Sequence, residues 1–379
     1  MKVFIAIDSF KGSLTSEQAG MAVAEGARKA GFTAEFAPLA DGGEGTVRAF
    51  AAAEGAECVT VPVTGPYGKP VAAEYCVLKN GTAVMETASA AGLTLAGVSE
   101  RNPMVATTYG LGQLIAHAAE HGIRRFMIGL GGSATNDGGA GMLQALGFSF
   151  KDGHGKEISK GAQGLKDIES IEEKISPYIK ECSFSVLCDV NNPLFGENGA
   201  SSVYGPQKGA TSEDVKRLDG YLVKFSQVCK RYYPKADPFA RGAGAAGGLG
   251  FAFMTFLNAR LVPGTETVIK ELGIEQKIAA ADVVATGEGR LDRQTAMGKA
   301  PAGIALLAKK YNKPAVAFAG CVSEEAGLLN EKGISAFFCV QRGAVSLEEA
   351  MEEKTAYNNL ESTAEQTFRL ISAAVKARG

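Results

Sequence analysis

Short apolar runs that alternate with helix-like segments constrain the fold of this chain more than any other feature. Continuous apolar runs of this length, separated by helices, are typical of strands buried in a parallel sheet. The runs lie at residues 3–8, 34–41, 125–131, 184–189, 282–289, 314–320 and 335–340. The alternation predicts an α/β fold with a doubly wound, mostly parallel, Rossmann-like sheet.

Two stretches interrupt this alternation. Residues 58–87 contain Gly-Pro and Asn-Gly turns between alternating strands, which predicts an antiparallel meander. Residues 190–275 combine turn-rich sequence with a predicted helix over 213–233 and a glycine-rich segment at 242–250. We therefore expect a second α/β domain that is inserted twice. The predicted domains are a discontinuous Rossmann-like domain of residues 1–57, 104–189 and 276–379, and an inserted domain of residues 58–103 and 190–275.

Composition excludes several classes of protein. The 379 residues include 39 Lys and Arg against 41 Asp and Glu, with no basic stripe, so we expect no nucleic-acid partner. The first apolar run meets a charge at Asp8, and no long uncharged apolar window follows, so we expect neither a signal peptide nor a membrane span. The seven cysteines form no CxxC pair and are odd in number, which predicts free thiols in a cytoplasmic protein.

Glycine is over-represented, and much of the surplus lies where predicted strands end. The chain has 48 glycines, whereas average usage gives roughly 27. Carboxylates, basic side chains and hydroxyls are interleaved with these glycines in segments 8–13, 41–46, 131–139, 188–193 and 287–292. Ligands of an open parallel sheet bind at the carboxyl ends of its strands, and glycine lets backbone N–H groups approach a phosphate. The pattern predicts a phosphate and substrate site there.

Other familiar motifs are absent or lack their context. Lys299 follows a glycine but has no preceding P-loop pattern, so a Walker A site is excluded. Residues 242–247 match GxGxxG, yet no strand precedes them, so we interpret the match as fortuitous. His117 and His121 lack the HExxH pattern, and we expect no metal there.

Seven segments together resemble a known family. In chain order they are DSFKGSLTS, PLADGGEGT, GLGGSATNDGGAGM, CDVNNPLFGENGA, YGPQKGA, GAGAAGGLG and TGEGRLDRQTAMGKAP. This set is similar to the bacterial glycerate kinases of type 1 over nearly the whole chain. The resemblance implies transfer of the γ-phosphoryl group of ATP to D-glycerate with Mg²⁺, in glycerate, glyoxylate or sugar-acid catabolism. It also implies two α/β domains with the site in the cleft between them. The resemblance favours 2-phosphoglycerate as product, and a homodimer is the assembly we consider.

The resemblance and the chemistry of phosphoryl transfer suggest roles for individual residues. Asp189 would be the base on the glycerate hydroxyl, Lys11 would neutralise the transferred charge, and Asp41 would assist catalysis. The predicted substrate-binding residues are Ser9, Lys11, Asp41, Gly42, Gly43, Glu44, Lys208, Arg290 and Asp292, with Arg290 on the glycerate carboxylate. The predicted ATP-binding residues are Gly131, Gly132, Ser133, Thr135, Asn136, Gly287, Glu288, Gly289 and Lys299. The predicted metal ligands are Glu44, Asp137 and Asp189.

Two alternatives remain open from the residues alone. One is another enzyme on the same architecture, such as a phosphosugar isomerase, which would consume no ATP. A NAD-dependent dehydrogenase would need the fingerprint that is missing here. The other alternative is a non-catalytic sensor of a phosphorylated metabolite, which would bind its ligand and form no ADP.

Overall fold

The structure of the protein is a computed structural model that describes residues 1–40, 42–296 and 299–377. Its strands are β1 Lys2–Ile7, β2 Thr33–Pro38, β3 Glu57–Thr64, β4 Pro70–Val77, β5 Thr82–Glu86, β6 Arg125–Gly129, β7 Phe148–Lys151, β8 Ser170–Glu173, β9 Ser183–Leu187, β10 Arg260–Val262, β11 Val283–Leu291, β12 Ala315–Val322 and β13 Ala336–Cys339. Its α-helices are α1 Ser16–Lys29, α2 Thr46–Ala51, α3 Thr87–Ala91, α4 Tyr109–Glu120, α5 Ala140–Ala145, α6 Pro177–Lys180, α7 Ala200–Tyr204, α8 Ser212–Tyr232, α9 Leu249–Leu257, α10 Gly264–Glu271, α11 Ile274–Ala279, α12 Arg293–Ala296, α13 Ala300–Lys310, α14 Leu328–Lys332, α15 Leu347–Met351 and α16 Glu353–Lys376. All seven apolar runs are strands, and the predicted helix over 213–233 is α8.

Local capping signals fix where the helices begin. The Thr15 hydroxyl accepts the N–H of Gln18 at 3.1 Å, and the Gln18 side chain accepts the N–H of Thr15 at 2.8 Å. This capping box satisfies two backbone donors at the start of α1. Thr211 and Asp214 form the same box before α8.

The first of two compact units comprises the described parts of residues 1–40 and 265–377. Its sheet is wholly parallel, in the order β13-β12-β11-β1-β2. Read from β2 to β13, with the strands numbered within the unit, this order is 2-1-3-4-5. Doubly wound sheets of this order bind ligands at the switch between the first and third strands. Those two strands are β1 and β11, so a ligand of this unit is expected at the residues that follow them.

Alternate residues of β1 face opposite layers of this unit. Phe4 packs in a cluster with Ile274, Ile278 and Ile304 of α11 and α13. Ile5 packs in a separate cluster with residues of α1 and α16. Helices therefore cover both faces of the sheet, which confirms the doubly wound fold predicted from sequence.

The second unit is the continuous segment 42–264. Its sheet has the order β10-β9-β6-β5-β4-β3, parallel from β10 to β5 and antiparallel from β5 to β3. The antiparallel part confirms the meander predicted for residues 58–87. One large core lies between this sheet and its helices, and β7 and β8 form a separate hairpin.

This division differs from the domain boundaries expected from sequence. Strands β6 and β9, from segment 104–189, belong to the second unit's sheet. There β6 pairs with β5 through Ile128 opposite Met85, and β9 pairs with β6 through Val186 opposite Ile128. The second unit is thus one continuous insertion instead of two. An apolar run records that a strand is buried and carries no signal for which sheet it joins.

The expectation that all seven cysteines are free is wrong at one pair. Cys58 of β3 lies directly opposite Cys76 of β4, with their Cα atoms 4.0 Å apart, and the two form a disulfide. Directly opposed positions of an antiparallel pair bring two side chains within bonding reach. The other five cysteines are free thiols, as expected.

Candidate active site

The predicted site residues lie in two clusters, each at the carboxyl end of parallel strands within one unit. The first-unit cluster follows β1 and β11 and consists of Asp8, Ser9, Lys11, Gly287, Glu288, Gly289, Arg290, Asp292 and Lys299. The second-unit cluster consists of Gly42–Glu44, Gly131–Asp137, Asp189 and Lys208. Asp41 lies outside the described residues, and the expected position of the site in a cleft between domains stays a prediction.

A tight turn after β1 presents Lys11. The N–H of Phe10 donates to the Leu14 carbonyl at 2.9 Å, and the N–H of Ser13 donates to the Phe10 carbonyl at 2.8 Å. The turn lies against β11, because a Cβ on Gly289 would be 3.4 Å from the backbone nitrogen of Lys11. Before the turn, the buried Asp8 carboxylate accepts the N–H of Ser9 at 2.7 Å.

Glu288 is a buried carboxylate with cations near it. Its Oε1 accepts the Thr295 hydroxyl at 2.5 Å, and its Oε2 lies 3.8 Å from Nζ of Lys299. Burial raises the pKa of Glu288, while the Thr295 hydrogen bond and the charges of Lys299 and Lys11 oppose that rise. Lys11 and Lys299 thus act on the same carboxylate, which places two cations at the switch point of the sheet.

Asp292 has a structural role in this cluster. Its Oδ1 accepts the N–H groups of Gln294 at 2.8 Å and Thr295 at 3.2 Å, which caps α12. Burial raises the pKa of Asp292, but the Thr295 N–H and the Lys299 charge bring it below its ordinary value. The side chain of Arg290 is exposed, and its Nε lies 3.8 Å from Oδ2 of Asp292.

The second unit contains two glycine loops that touch along their backbones. We call residues 42–45 the first glycine loop and residues 131–139 the second. The N–H of Gly131 donates to the Gly42 carbonyl at 3.1 Å. A Cβ on Gly129 would lie 2.5 Å from that carbonyl oxygen, and a Cβ on Gly131 would lie 2.4 Å from the Cα of Gly43. Only glycine at positions 129 and 131 permits this contact.

Lys208 lies under the second glycine loop. It is 2% exposed, and its Nζ donates to the Thr135 carbonyl at 2.6 Å and to the Ser133 hydroxyl at 3.1 Å. Burial lowers the pKa of Lys208 to about 7, and the charge of Asp137 opposes that shift. The sequence suggested direct substrate binding, whereas the amine contacts oxygens of the loop itself.

Asp137 is fully buried and fully engaged. Its carboxylate accepts the N–H of Thr108 at 2.8 Å, the hydroxyl of Thr108 at 3.0 Å, and the N–H groups of Gly139 at 3.1 Å and Gly141 at 3.3 Å. Burial raises its pKa, and these donors oppose the rise. The contacts tie the loop to the starts of α4 and α5, and they occupy the oxygens that the expected metal ligation would use.

Two buried polar atoms of the second loop have no hydrogen-bond partner within the described residues. They are the hydroxyl of Thr135 and Oδ1 of Asn136, whose amide nitrogen donates to the Ser201 hydroxyl at 2.9 Å. Buried polar groups are nearly always paired in folded proteins. Both residues are 0% exposed, so the second loop carries two buried polar atoms whose partners lie outside the contacts seen in the described residues.

Asp189 follows β9 at the same edge of the sheet. Its Oδ1 accepts the N–H of Gly264 at 2.8 Å, and its side chain is exposed. Glu44 in the first glycine loop is also exposed. Both carboxylates are thus accessible, unlike Asp137.

The segment 242–250 supports the second loop from behind. The N–H of Gly138 donates to the Gly247 carbonyl at 2.9 Å. A Cβ on Gly247 would lie 2.1 Å from the Thr135 carbonyl oxygen, and a Cβ on Gly248 would lie 2.7 Å from the Cα of Gly138. These glycines allow close backbone packing. The element that comes before them is helix α8 and not a strand, so the GxGxxG match lacks the strand of a dinucleotide fingerprint.

Sequence reasoning missed Glu86, the last residue of β5. It is 9% exposed, and its Oε2 accepts the N–H of Val47 at 3.1 Å, next to the first glycine loop. Burial raises the pKa of Glu86 to about 7. Glu86 is a carboxylate at the end of an apolar run, as in segments 8–13 and 188–193, but it lies within the predicted meander.

Comparison with known proteins agrees with the resemblance seen in the sequence. A model of the glycerate kinase family matches residues 3–372. The chain is 42% identical to the glycerate kinase of Bacillus subtilis (strain 168) over 99% of this chain and 98% of that protein. It is 44% identical to the glycerate 2-kinase of Escherichia coli (strain K12) over 95% of each.

A solved structure supports the fold as well. A crystal structure from Salmonella typhimurium LT2, provisionally described as glycerate kinase 2, matches with a TM-score of 0.85 and 41% identity. The match covers 99% of both chains. On the strength of the family model, the full-length relatives and this shared fold, the chain belongs to the glycerate kinase family.

Proposed function

We propose that this enzyme transfers the γ-phosphoryl group of ATP to a hydroxyl of D-glycerate, with Mg²⁺. The observation that carries this proposal, beside family membership, is the second glycine loop. Its close backbone packing, and the support that the buried Lys208 amine gives to the Thr135 carbonyl, favour a preorganised loop of the kind that phosphate binding in phosphoryl transfer needs.

In this proposal, residues of both clusters have separate roles in the transfer. The second glycine loop and Gly287–Gly289 bind the phosphates of ATP, and Lys11 and Lys299 neutralise charge on the transferred group. Asp189 accepts the proton of the attacking hydroxyl, and Arg290 binds the glycerate carboxylate in a bidentate manner. Two observations support these roles. Asp189 is exposed and follows a strand end, and Arg290 is exposed beside Asp292.

Mg²⁺ in kinases bridges phosphate oxygens and is bound by one or two protein carboxylates. The described ranges contain no group of three or more His, Cys, Asp or Glu that could hold an ion alone. In our proposal Mg²⁺ would arrive with ATP, and accessible carboxylates would supply its protein ligands. Asp189 and Glu44 meet this requirement, whereas the oxygens of Asp137 are occupied.

We further propose 2-phosphoglycerate as the product, and a role in glycerate, glyoxylate or sugar-acid catabolism. The name of the Escherichia coli relative, glycerate 2-kinase, supports the position of transfer. No helix in the described residues is long and apolar enough to cross a membrane. The cytoplasmic location and the homodimer stay predictions from the sequence.

A coupled assay for ADP tests this function. With ATP and Mg²⁺ present, D-glycerate should raise the rate of ADP formation well above the rates with L-glycerate or with no acceptor. A protein that binds a phosphorylated metabolite and leaves ADP at the background level would fit the sensor alternative. A protein that interconverts a phosphosugar with no use of ATP would fit the isomerase alternative.

A further inference from the structure

The segment that begins at the last residue of β5 contacts the second glycine loop and the first turn of α2, which follows the first glycine loop. We define it as the loop clamp, residues 86–93, comprising Glu86, helix α3 and two residues beyond it. No family motif recognised in the sequence includes these residues. Their contacts are with the backbone of the loops, so the sequence alone does not display them.

One arm of the clamp holds the first glycine loop. Glu86 stands opposite Gly129 in the parallel pair of β5 and β6. Its carboxylate accepts the N–H of Val47, in the first turn after the loop, at 3.1 Å. Because Glu86 is 9% exposed, loss of this acceptor would leave the amide in a site where water hardly competes.

The other arm makes two hydrogen bonds to the second glycine loop and one to the end of β6, just before that loop. The hydroxyl of the buried Thr87 donates to the Gly129 carbonyl at 2.9 Å. The N–H of Leu93 donates to the Gly132 carbonyl, and the N–H of Ala134 donates to the Ala91 carbonyl, both at 2.8 Å. A Cβ on Gly132 would lie 3.1 Å from Cβ of Ala88, so α3 also limits where this loop can move.

We propose that the loop clamp sets the spacing of the two glycine loops, and that Glu86 and Thr87 are positioning residues for nucleotide binding. The proposal rests on the proposed function only in naming ATP as the ligand. Glu86 holds Val47, two residues after the first loop, and Thr87 holds Gly129, two residues before the second. The loops themselves meet at Gly42 and Gly131. Release of either arm therefore lets the loop pair separate and lowers the affinity for the phosphates.

Four variants of the full chain test the proposal by titration calorimetry with MgATP in the absence of glycerate. Glu86→Ala and Thr87→Val each remove one hydrogen bond, and each should raise the dissociation constant about 10-fold. Glu86→Gln and Thr87→Ser keep the acceptor and the hydroxyl, and they should stay near the wild-type value. Glu74→Gln, in the neighbouring strand β4, is the matched carboxylate control.

The outcomes separate positioning from stability. Thermal unfolding of each variant shows whether a loss of affinity merely follows a loss of fold. Dissociation constants for Glu86→Ala and Thr87→Val within twofold of the wild type, or equal losses in the two conservative variants, would overturn the proposal. A wild type that does not bind MgATP would also overturn it. A wild type that binds MgATP and phosphorylates no glycerate would contradict the proposed function alone.

Discussion

The ammonium nitrogen of Lys208 lies 2.6 Å from the carbonyl oxygen of Thr135, inside the protein and beneath the second glycine loop. A buried amine of this kind is expensive to charge, and burial lowers its pKa to about 7. The loop thus rests on a group whose charge changes near neutral pH. This contact links the stability of the unit to the site that we propose for ATP.

Lys208→Met should reveal that link through the pH dependence of unfolding. Since the folded pKa of Lys208 lies below its unfolded value of 10.5, the unfolded state holds the proton more tightly between about pH 7 and 10.5. Wild-type stability should therefore rise, relative to Lys208→Met, by about 2 kcal/mol from pH 7 to pH 9. Denaturant unfolding at both pH values measures this difference. A constant difference between the two proteins would contradict the lowered pKa.

Glu86→Gln should show the opposite dependence. The folded pKa of Glu86, about 7, lies above the unfolded value of 4.5, so the folded state holds the proton more tightly between those values. Wild-type stability should fall, relative to Glu86→Gln, by roughly 2–3 kcal/mol from pH 5 to pH 8. The measurement is again the free energy of unfolding at each pH. If the two proteins respond equally to pH, the carboxyl of Glu86 titrates in its ordinary range.

Asp189→Asn tests the proposed base. The amide keeps the size and the acceptor oxygen that meets the N–H of Gly264, but it cannot take a proton from the hydroxyl of glycerate. Turnover should fall by about 10²-fold or more. Steady-state kinetics at saturating ATP measure the change. An unchanged kcat would remove Asp189 from this role.

Arg290→Ala tests the proposed carboxylate clamp. The guanidinium is exposed beside Asp292, so its loss should leave the fold intact and weaken the binding of glycerate. KM for glycerate should rise at least 10-fold while KM for ATP changes little. If KM for glycerate does not change, Lys11 or Lys299 becomes the better candidate for the carboxylate.

Gly131→Ala tests the contact between the two glycine loops. The added methyl group would lie 2.4 Å from the Cα of Gly43, so the backbone must shift, and we expect loss of both stability and activity. Gly220→Ala is the control, because a Cβ at this position of α8 meets nothing within 4 Å. The control should gain about 0.5–1 kcal/mol of stability with normal kinetics. Equal effects at the two positions would show that the loops have room to separate.

The fold class could be predicted from local pattern, because burial on both faces produces continuous apolar runs and capping residues mark helix starts. The division of the strands between the two sheets could not be predicted from the sequence. The runs at 125–131 and 184–189 resemble those of the first sheet, and only the pairing of β6 with β5 and of β9 with β6 places them in the second.

The candidate site, like the fold, could be predicted from the sequence only in part. The glycines and charged residues at strand ends were enough to predict where the loops lie. The burial of Lys208 and Asp137 could not be predicted, because it depends on contacts with residues distant in the chain. The glycines of segment 242–250 pack against the backbone of the second loop. Their number in the sequence does not indicate which part of the chain they contact. Glu86 had a readable signal, namely a carboxylate at the end of an apolar strand.

Phosphorus NMR of a reaction with ATP, Mg²⁺ and D-glycerate tests the central claim most directly. The account predicts loss of the γ-phosphate signal of ATP and growth of one phosphate monoester. In the proton-coupled spectrum that monoester should be a doublet, because the phosphorus of 2-phosphoglycerate couples to a single methine proton. A triplet would assign transfer to the 3-position and contradict the proposed product. An unchanged ATP spectrum, with no new monoester, would contradict the kinase function itself.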